Sequence, residues 1–153
     1  CYPVSVAQHS VIVSYLVSRR IAPHGLGHDC HETGTGDVSS PLKRHLASPK
    51  LKATQAAFDA ALYAKHGLAP LSPEDANELR TADLLACYEE ARIVVGVPQS
   101  ELDDHFGWTG FPTPESEAML ARLPATMWEM LRELDWRDAR DAFLKRAAEV
   151  GLK

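Results

Sequence analysis

Apolar residues recur at helical spacing along most of the chain, and no segment alternates apolar and polar residues for long enough to make a strand. The first periodic segment follows Ser5, which opens a capping box, and it predicts a helix over residues 5–20. His9, Ile12 and Leu16 share one stripe of that helix, so His9 is expected to face inward. The pattern predicts an all-α fold.

Proline and glycine divide the rest of the chain into further helices. Pro23, Gly25 and Gly27 weaken helix propensity where a second helix should begin, so that helix is predicted to start late and to cover residues 28–33. Ser-Pro and Thr-Pro pairs are typical helix starts, and glycines are typical stops. These signals predict helices over 41–45, 49–65, 73–95, 114–123, 127–134 and 136–150. The segment 99–113, rich in glycine and aromatic residues, is predicted to be a loop.

Length and composition favour one soluble globular domain. A chain of 153 residues with 45% hydrophobic and 24% charged residues can form one core, and we expect a single domain over 1–153. The net charge of -5, without a dense run of Lys and Arg, argues against a nucleic-acid polymer as partner. The apolar run VIVSYLV is too short for a membrane span, and no signal peptide opens the chain, so a cytoplasmic protein without a membrane partner is expected.

The cysteines and the start of the chain add two expectations. Cys1, Cys30 and Cys87 are scattered and lack metal-ligand spacing, which favours reduced thiols in the cytosol. Because the sequence begins at Cys1 without an initiator Met, an amino-terminal portion of the domain is expected to be missing.

Four potential metal ligands are distributed over three of the predicted helices: His9, His28, Asp29 and Asp83. Packed helices can point such residues at one spot, where two imidazoles and two carboxylates form a mixed nitrogen and oxygen shell. That shell suits Mn²⁺, Fe²⁺, Co²⁺ or Zn²⁺ and leaves positions for water and a phosphate oxygen. A bound ion would lower the pKa of its water and polarise a phosphoryl oxygen.

Two further carboxylates are candidates for proton transfer. Glu32 follows His28 by four residues, on the same helical face, and can orient or deprotonate a water molecule. Asp37 follows the glycine-broken GTG segment and can protonate a leaving group or fix a second water.

An ordinary structural role for these residues stays open at this point. Each His or Asp taken alone is more often a satisfied core or surface residue than a ligand. The zinc-protease motif fails, because Thr35 stands where it requires a second His. The glycines before Asp37 are not followed by Gly-Lys-Ser/Thr, so the segment is no phosphate-binding P-loop.

Three segments in order along the chain resemble the HD-domain metal-dependent phosphohydrolases: SVAQHS at 5–10, HDCHETGTGDVSSPLK at 28–43 and ADLLACYEEAR at 82–92. The similarity is strongest to small bacterial 5'-deoxynucleotidases and to phage-type HD hydrolases, which include the dATP triphosphohydrolases of phages with modified adenine. It covers most of 2–92 and implies the HD-domain helical bundle as the fold.

The resemblance also implies roles for individual residues. The family's metal ligands fall on His9, His28, Asp29 and Asp83. One or more divalent ions, Co²⁺, Mn²⁺, Zn²⁺, Fe²⁺ or Mg²⁺, are the implied cofactor. The family's catalytic acid falls on Glu32, and the Asp of its Thr-Gly-Asp turn falls on Asp37. Lys43, in the Ser-Pro-Leu-Lys element, is the expected phosphate contact, although a solvated helix face explains it equally well.

The expected function is hydrolysis of a 2'-deoxynucleotide. The phage-type branch slightly favours a dNTP triphosphohydrolase, with dATP as one candidate, over a 5'-deoxynucleotidase that acts on dNMPs. An HD phosphodiesterase is disfavoured because the Gly-Tyr-Pro accompaniment of that branch is absent. A non-catalytic nucleotide sensor or assembly domain is the alternative from another class. Because relatives assemble, a homo-oligomer with a small-molecule nucleotide substrate is expected.

The chain departs from the family in identifiable places. APHGLG stands where relatives carry a smooth apolar helix, and only 1–3 remain of a preceding helix that contributes to nucleotide binding in relatives. Glu90 and Arg92 echo a family Glu-Ala-Arg element, and an ion-pair or structural role is expected for them. Phe106, Trp108 and Phe111 are expected in a satellite core or subunit contact rather than in a base-stacking lid.

Overall fold

Helices make up the regular structure of the computed structural model, which describes residues 4–36, 38, 42, 45, 48–106, 111–127, 129 and 134–152. The α-helices are α1 (Val6–Leu16), α2 (Ala22–Gly27), α3 (Glu32–Thr35), α4 (Pro49–His66), α5 (Pro73–Glu90), α6 (Gln99–Phe106), α7 (Pro114–Leu120) and α8 (Trp136–Val150). Short 3₁₀ turns cover Arg19–Ile21 and Ala125–Met127, and a π-helical stretch, Ala91–Val95, continues α5. Within these residues no strand forms, which confirms the predicted all-α fold.

Local sequence signals fix most of the helix ends. Side-chain oxygens of five residues accept a hydrogen bond from a backbone N–H of the first turn: Ser5, Ser48, Ser72, Thr113 and Asp135. Glycines with positive φ follow α4, the π-helical stretch and α8: Gly67, Gly96 and Gly151. These caps confirm the predicted starts at 49, 73, 114 and 136.

Helix α1 lies at the centre of the packing. Most of its residues are buried, and it packs against α2, α5 and α8. The apolar core around it includes Val13, Leu16, Leu26 and Leu85. His9 lies on this buried helix together with Ile12 and Leu16, so the predicted inward-facing stripe is confirmed. A helix packed against three others provides a rigid platform for the side chains that it carries.

Helix α2 begins earlier than the sequence predicted. It starts at Ala22, with Pro23 in its first turn, and His28 follows it in helical geometry. The glycines serve close packing: a Cβ on Gly25 would lie 3.0 Å from the Ser14 Cα and 3.1 Å from the Val17 Cγ2. Low helix propensity in APHGLG therefore reflects a tight contact between α2 and α1, and the predicted late start is wrong.

Helix α1 ends earlier than predicted. Val17 adopts an extended backbone, and the chain resumes with the 3₁₀ turn at Arg19–Ile21. Glu78 of α5 stabilises this break, because its carboxylate accepts hydrogen bonds from the Ser18 N–H at 2.7 Å and the Ser18 hydroxyl at 3.1 Å. A long-range contact of this kind has no signature in the local pattern.

The predicted loop over 99–113 is wrong in its first half, where α6 forms. The N–H groups of Glu101 and Leu102 donate to the Pro98 carbonyl, and the Leu102 side chain is fully buried. One apolar anchor and a favourable first turn are enough for a short helix. Phe111 packs edge-on against buried Tyr88, with ring centroids 5.2 Å apart, and it lies against the main apolar core rather than in a satellite core.

Some predictions fall on parts of the chain outside the described residues. Of the predicted helix over 41–45, only Leu42 and His45 are described, and both are helical. In the predicted helix over 127–134, residues 128 and 130–133 are outside the description, as is Trp108. Within the part of the chain that the structure describes, no helix combines the length and apolar content needed to cross a membrane.

Candidate metal centre

Three elements bring the predicted ligands together. His9 comes from the first half of α1, His28 and Asp29 follow the end of α2, and Asp83 comes from the middle of α5. One nitrogen or oxygen atom from each residue lies within 4.8 Å of all the others. The described residues therefore contain a His/Asp group that can hold a metal ion, formed from the four residues that the sequence singled out.

The interatomic distances match those around a single ion. The His9 Nε2 lies 3.0 Å from the Asp83 Oδ1 and 3.8 Å from the Asp29 Oδ2. The His28 Nε2 lies 3.1 Å from the Asp29 Oδ2 and 3.6 Å from the Asp83 Oδ1. Ligand atoms about 2.0–2.2 Å from one ion are separated by roughly 3–4 Å from each other. No large rearrangement of the side chains is needed for them to bind a common ion.

A backbone hydrogen bond sets the orientation of the His28 ring. Its Nδ1–H donates to the Gly25 carbonyl oxygen at 2.8 Å. The opposite nitrogen, Nε2, is buried and has no hydrogen-bond partner among the described residues, although the carboxylate of Asp29 is near. An imidazole held by its Nδ1–H presents an Nε2 lone pair when neutral, which is the form that binds a metal. This orphaned nitrogen is the clearest sign that the group fits an ion.

His9 is held in the same way by a carboxylate. Its Nδ1 lies 2.9 Å from the Glu90 Oε1, and its Nε2 faces Asp83. The imidazoles of His9 and His28 are 10% exposed, whereas the carboxylates of Asp29 and Asp83 are 25% and 39% exposed. The centre therefore has a buried imidazole side and a carboxylate side that solvent can reach.

The imidazoles and carboxylates shift each other's protonation. Burial lowers the pKa of His9, but hydrogen bonds to Asp83 and Glu90 outweigh it and raise that pKa to about 10. Burial also lowers the pKa of His28, and the carboxylates of Asp29 and Asp83 raise it to about 9. Burial favours the neutral form of both aspartates, yet the imidazoles hold the pKa of Asp29 and of Asp83 below the usual range. A metal ion would have to displace protons from the imidazoles, since only neutral imidazole binds.

Glu32 lies beside this group rather than in it. Its carboxylate is within 4.8 Å of the potential ligand atoms of Asp29 and His31. His31 in turn lies 3.2 Å, through its Nδ1, from the Asp59 Oδ1 on α4. The Glu32 side chain is half-buried at the start of α3, next to the more exposed carboxylates of the centre. Glu32 therefore lies next to the four-residue group without belonging to it.

The remaining predicted residues have mixed outcomes. Asp37 and Lys43 lie outside the described residues. Arg92 forms an ion pair, as expected, but its partner is Glu89, with 2.6 Å between the Arg92 Nη2 and the Glu89 Oε2. Glu90 instead contacts His9. Cys30 and Cys87 are free, and burial raises the pKa of both thiols, so they stay protonated at neutral pH.

Two carboxylates that contact histidines in this region were not predicted from the sequence. Glu90 was expected in an ion pair or a structural role, and its contact with His9 beside Asp83 was not predicted. The seven-residue spacing, nearly two helical turns, was the available signal, because it places both carboxylates above one neighbouring helix. Asp59 had no such signal, since its contact with His31 depends on how α4 packs against α3.

Comparison with known proteins shows that the chain is similar in sequence to a bacterial protein. It is 33% identical over 132 residues to the "Uncharacterized protein YfdR" of Escherichia coli (strain K12), a match that covers 84% of this chain and 68% of that protein. No family model matches the sequence. No solved structure matches it either. At this identity and coverage, the chain belongs to the same protein family as YfdR of E. coli.

Proposed function

We propose that the protein is a divalent-metal-dependent HD-domain phosphohydrolase that acts on 2'-deoxynucleotides and prefers dNTPs, with dATP as one candidate. The observation that carries this proposal is the convergence of the Nε2 atoms of His9 and His28 with carboxylate oxygens of Asp29 and Asp83. The substrate class rests on the resemblance of residues 5–10, 28–43 and 82–92 to HD-domain hydrolases.

The negative charges of the centre support the proposal that a bound cation separates its carboxylates from an anionic substrate. Asp29, Asp83 and Glu32 place carboxylates at its accessible side. A phosphate group would be repelled by these carboxylates unless positive charge intervened. When bound there, a divalent ion supplies a water of lowered pKa and polarises a phosphoryl oxygen. His9, His28, Asp29 and Asp83 would hold it.

The proposed roles of the other residues follow from hydrolysis at phosphorus. One water is consumed: its oxygen joins the α-phosphorus, the bond from this phosphorus to the sugar O5' breaks, and the deoxynucleoside leaves with one proton. Glu32, beside Asp29, orients the attacking water and accepts its proton. Asp37 protonates the leaving oxygen, and Lys43 contacts the phosphate chain. The last two roles rest on the family resemblance alone.

The decisive experiment identifies the products from each common deoxynucleotide. Protein loaded with Co²⁺ or Mn²⁺ is incubated with the four dNMPs and the four dNTPs, and inorganic products are separated by anion exchange. We expect triphosphate from dNTPs. Orthophosphate from dNMPs alone would instead indicate a 5'-deoxynucleotidase at the same centre. Release from neither set would remove the hydrolase proposal and favour a nucleotide sensor.

Ligand variants test the metal separately from the substrate. His28→Ala and Asp83→Ala should lose bound metal and turnover together, because each removes a ligand atom. His24→Gln is a matched control for the first: His24 is buried on α2, but its Nε2 contacts the Ala69 carbonyl oxygen at 2.9 Å, outside the centre. Asp75→Asn is the control for the second, on the same helix α5. Unchanged metal content in His28→Ala would overturn the ligand assignment.

A further inference from the structure

His9 uses both of its ring nitrogens. Its Nε2 belongs to the group formed with His28, Asp29 and Asp83. Its Nδ1 lies on the other side of the ring, 2.9 Å from the Glu90 Oε1. The side chains of His9 and Glu90 are only 10% and 12% exposed, so water competes little for this contact. The pairing is therefore a built feature of the α1–α5 contact.

We propose that Glu90 is a positioning residue, which holds the His9 ring in the tautomer and orientation that present Nε2 to a metal ion. This inference rests on the proposed metal centre. A neutral imidazole that binds an ion through Nε2 carries its proton on Nδ1, and a buried N–H requires an acceptor. The Glu90 carboxylate is that acceptor. A negative partner also makes the imidazole a stronger donor to a metal ion.

Helix geometry directs Glu90 toward His9 and directs the neighbouring Glu89 away from it. Glu90 follows Asp83 by seven residues, nearly two turns, so both point from α5 toward α1, where they face opposite nitrogens of one ring. Glu89 points elsewhere, is buried, and accepts two hydrogen bonds from Arg92, at 3.1 and 2.6 Å. The helix changes to π-helical geometry at Ala91, directly after this pair. Insertions of this kind often accompany functional sites.

The two imidazoles of the centre are then held by different acceptors. The Nδ1–H of His28 donates to a backbone carbonyl oxygen, that of Gly25, which no side-chain substitution removes. The Nδ1 of His9 depends on one side chain. Substitution of Glu90 should therefore affect one half of the centre selectively, which makes the proposal testable.

The test is the affinity for Co²⁺, measured by competition with a chelator and by the visible absorption of the bound ion. Glu90→Ala should lose roughly 10- to 100-fold in affinity, the range for loss of such an acceptor. Glu90→Gln retains a carbonyl oxygen that can accept from Nδ1–H, and it should recover most of the affinity. Glu89→Gln is the matched control: it disturbs the same helix end through Arg92 without touching His9, and should bind Co²⁺ as the wild type does.

Four results would overturn the proposal. If Glu90→Ala bound Co²⁺ as tightly as the wild type, Glu90 would have no positioning role, while the metal centre itself would stand. If Glu89→Gln lost as much affinity as Glu90→Ala, the effect would be a general disturbance of α5. If Glu90→Gln lost as much as His28→Ala, Glu90 would be a ligand. A wild type that bound no Co²⁺ would overturn both the centre and this role, which separates that failure from the others.

Discussion

At the level of single residues, one hydrogen bond can serve both the helix and the site. The His28 Nδ1–H donates to the carbonyl of Gly25, near the end of α2, where helix carbonyls lack backbone partners. The same bond turns the Nε2 of His28 toward the carboxylates of Asp29 and Asp83. The carbonyl near the end of α2 is therefore bonded by a side chain whose other nitrogen faces two carboxylates.

Glu32 provides the sharpest prediction at this scale. Glu32→Gln keeps the size of the side chain but cannot accept a proton, so turnover should fall about 10²- to 10⁴-fold. Metal content should not change, since the four proposed ligands do not include Glu32. Steady-state turnover and metal analysis of the same preparation check both statements. Glu74→Gln, an exposed first-turn glutamate of α5, is the control. Retained turnover in Glu32→Gln would remove Glu32 from the mechanism.

The residues of the centre were predictable to different degrees. His9, His28, Asp29 and Asp83 could be named because helical spacing and family resemblance agreed on them. The partner of the His9 Nδ1 could not be predicted, because Glu89 and Glu90 are adjacent in sequence. Only the packing of the helices decides which of the two contacts α1. A sequence shows which groups are present, whereas the choice between neighbouring groups is a property of the packed helices.

At the level of helices, the contact between α1 and α2 determines how close His9 and His28 lie. Their ring centroids are 5.3 Å apart, and a Cβ on Gly25 of α2 would lie 3.0 Å from the Ser14 Cα of α1. The sequence indicated the glycines but suggested weak helix formation. Helix propensity is a local quantity, and the space that a missing Cβ leaves for another helix is visible only in three dimensions. For the same reason the caps were predicted well and the start of α2 was not.

Gly25→Ala tests this close approach. The added Cβ would lie 3.0 Å from the Ser14 Cα and 3.3 Å from the Ser14 N, and buried backbone cannot move aside. Overpacking of this kind costs about 1–3 kcal/mol, which should exceed the gain of about 1 kcal/mol in helix propensity. We expect a lower Tm and weaker Co²⁺ binding. Gly27→Ala is the comparison variant. Its added Cβ would lie 2.7 Å from the Leu62 Cδ2 and close to no backbone atom of the described residues outside its own helix, and the Leu62 side chain can rotate away. Equal Tm values for the two variants would contradict the argument.

The contact between Arg20 and Asp75 should make the stability of the fold depend on pH. Arg20, after α1, donates two hydrogen bonds of 2.5 Å to Asp75 at the start of α5, and the pair holds the pKa of Asp75 below its usual range. A carboxylate with a lowered folded-state pKa stabilises the fold above its unfolded pKa, about 3.9, and loses this contribution as the pH falls through the folded value. Asp75→Asn should therefore have a lower Tm than the wild type at pH 7 and at pH 5, by the same amount.

Below about pH 4, the difference in Tm between wild type and Asp75→Asn should shrink, because the wild-type carboxyl becomes neutral as well. Thermal denaturation followed by circular dichroism at pH 7, 5, 4 and 3 checks this window. Asp141→Asn is the control, since Asp141 pairs with its neighbour Arg140 on α8 and joins no separate elements. A difference in Tm that stayed constant down to the lowest pH would show that the charge of Asp75 is not its source.

At the level of the whole molecule, the candidate metal centre joins parts of the chain that are far apart in sequence. His9, His28 and Asp83 come from α1, the end of α2 and α5, so the ligand set exists only in the folded chain. Helix α8 packs on the same central helix α1: Arg146 donates to the Ser14 carbonyl at 2.9 Å, and its guanidinium stacks 3.6 Å from the centre of the Tyr15 ring. Residues of the carboxyl-terminal helix thus support the helix that carries His9.

Binding of a divalent ion should stabilise the entire fold, because the ion binds the folded chain and not the unfolded one. At free Co²⁺ of about 100 times the Kd, the gain is about 2.7 kcal/mol, which corresponds to a rise in Tm of roughly 5–10 °C for a chain of this size. A chelator should reverse the rise. Asp75→Asn should show the same rise as the wild type, whereas His28→Ala should show almost none. Differential scanning calorimetry with and without Co²⁺ measures these shifts. If His28→Ala were stabilised as much as the wild type, the ion would bind elsewhere, and His9, His28, Asp29 and Asp83 would not be its ligands.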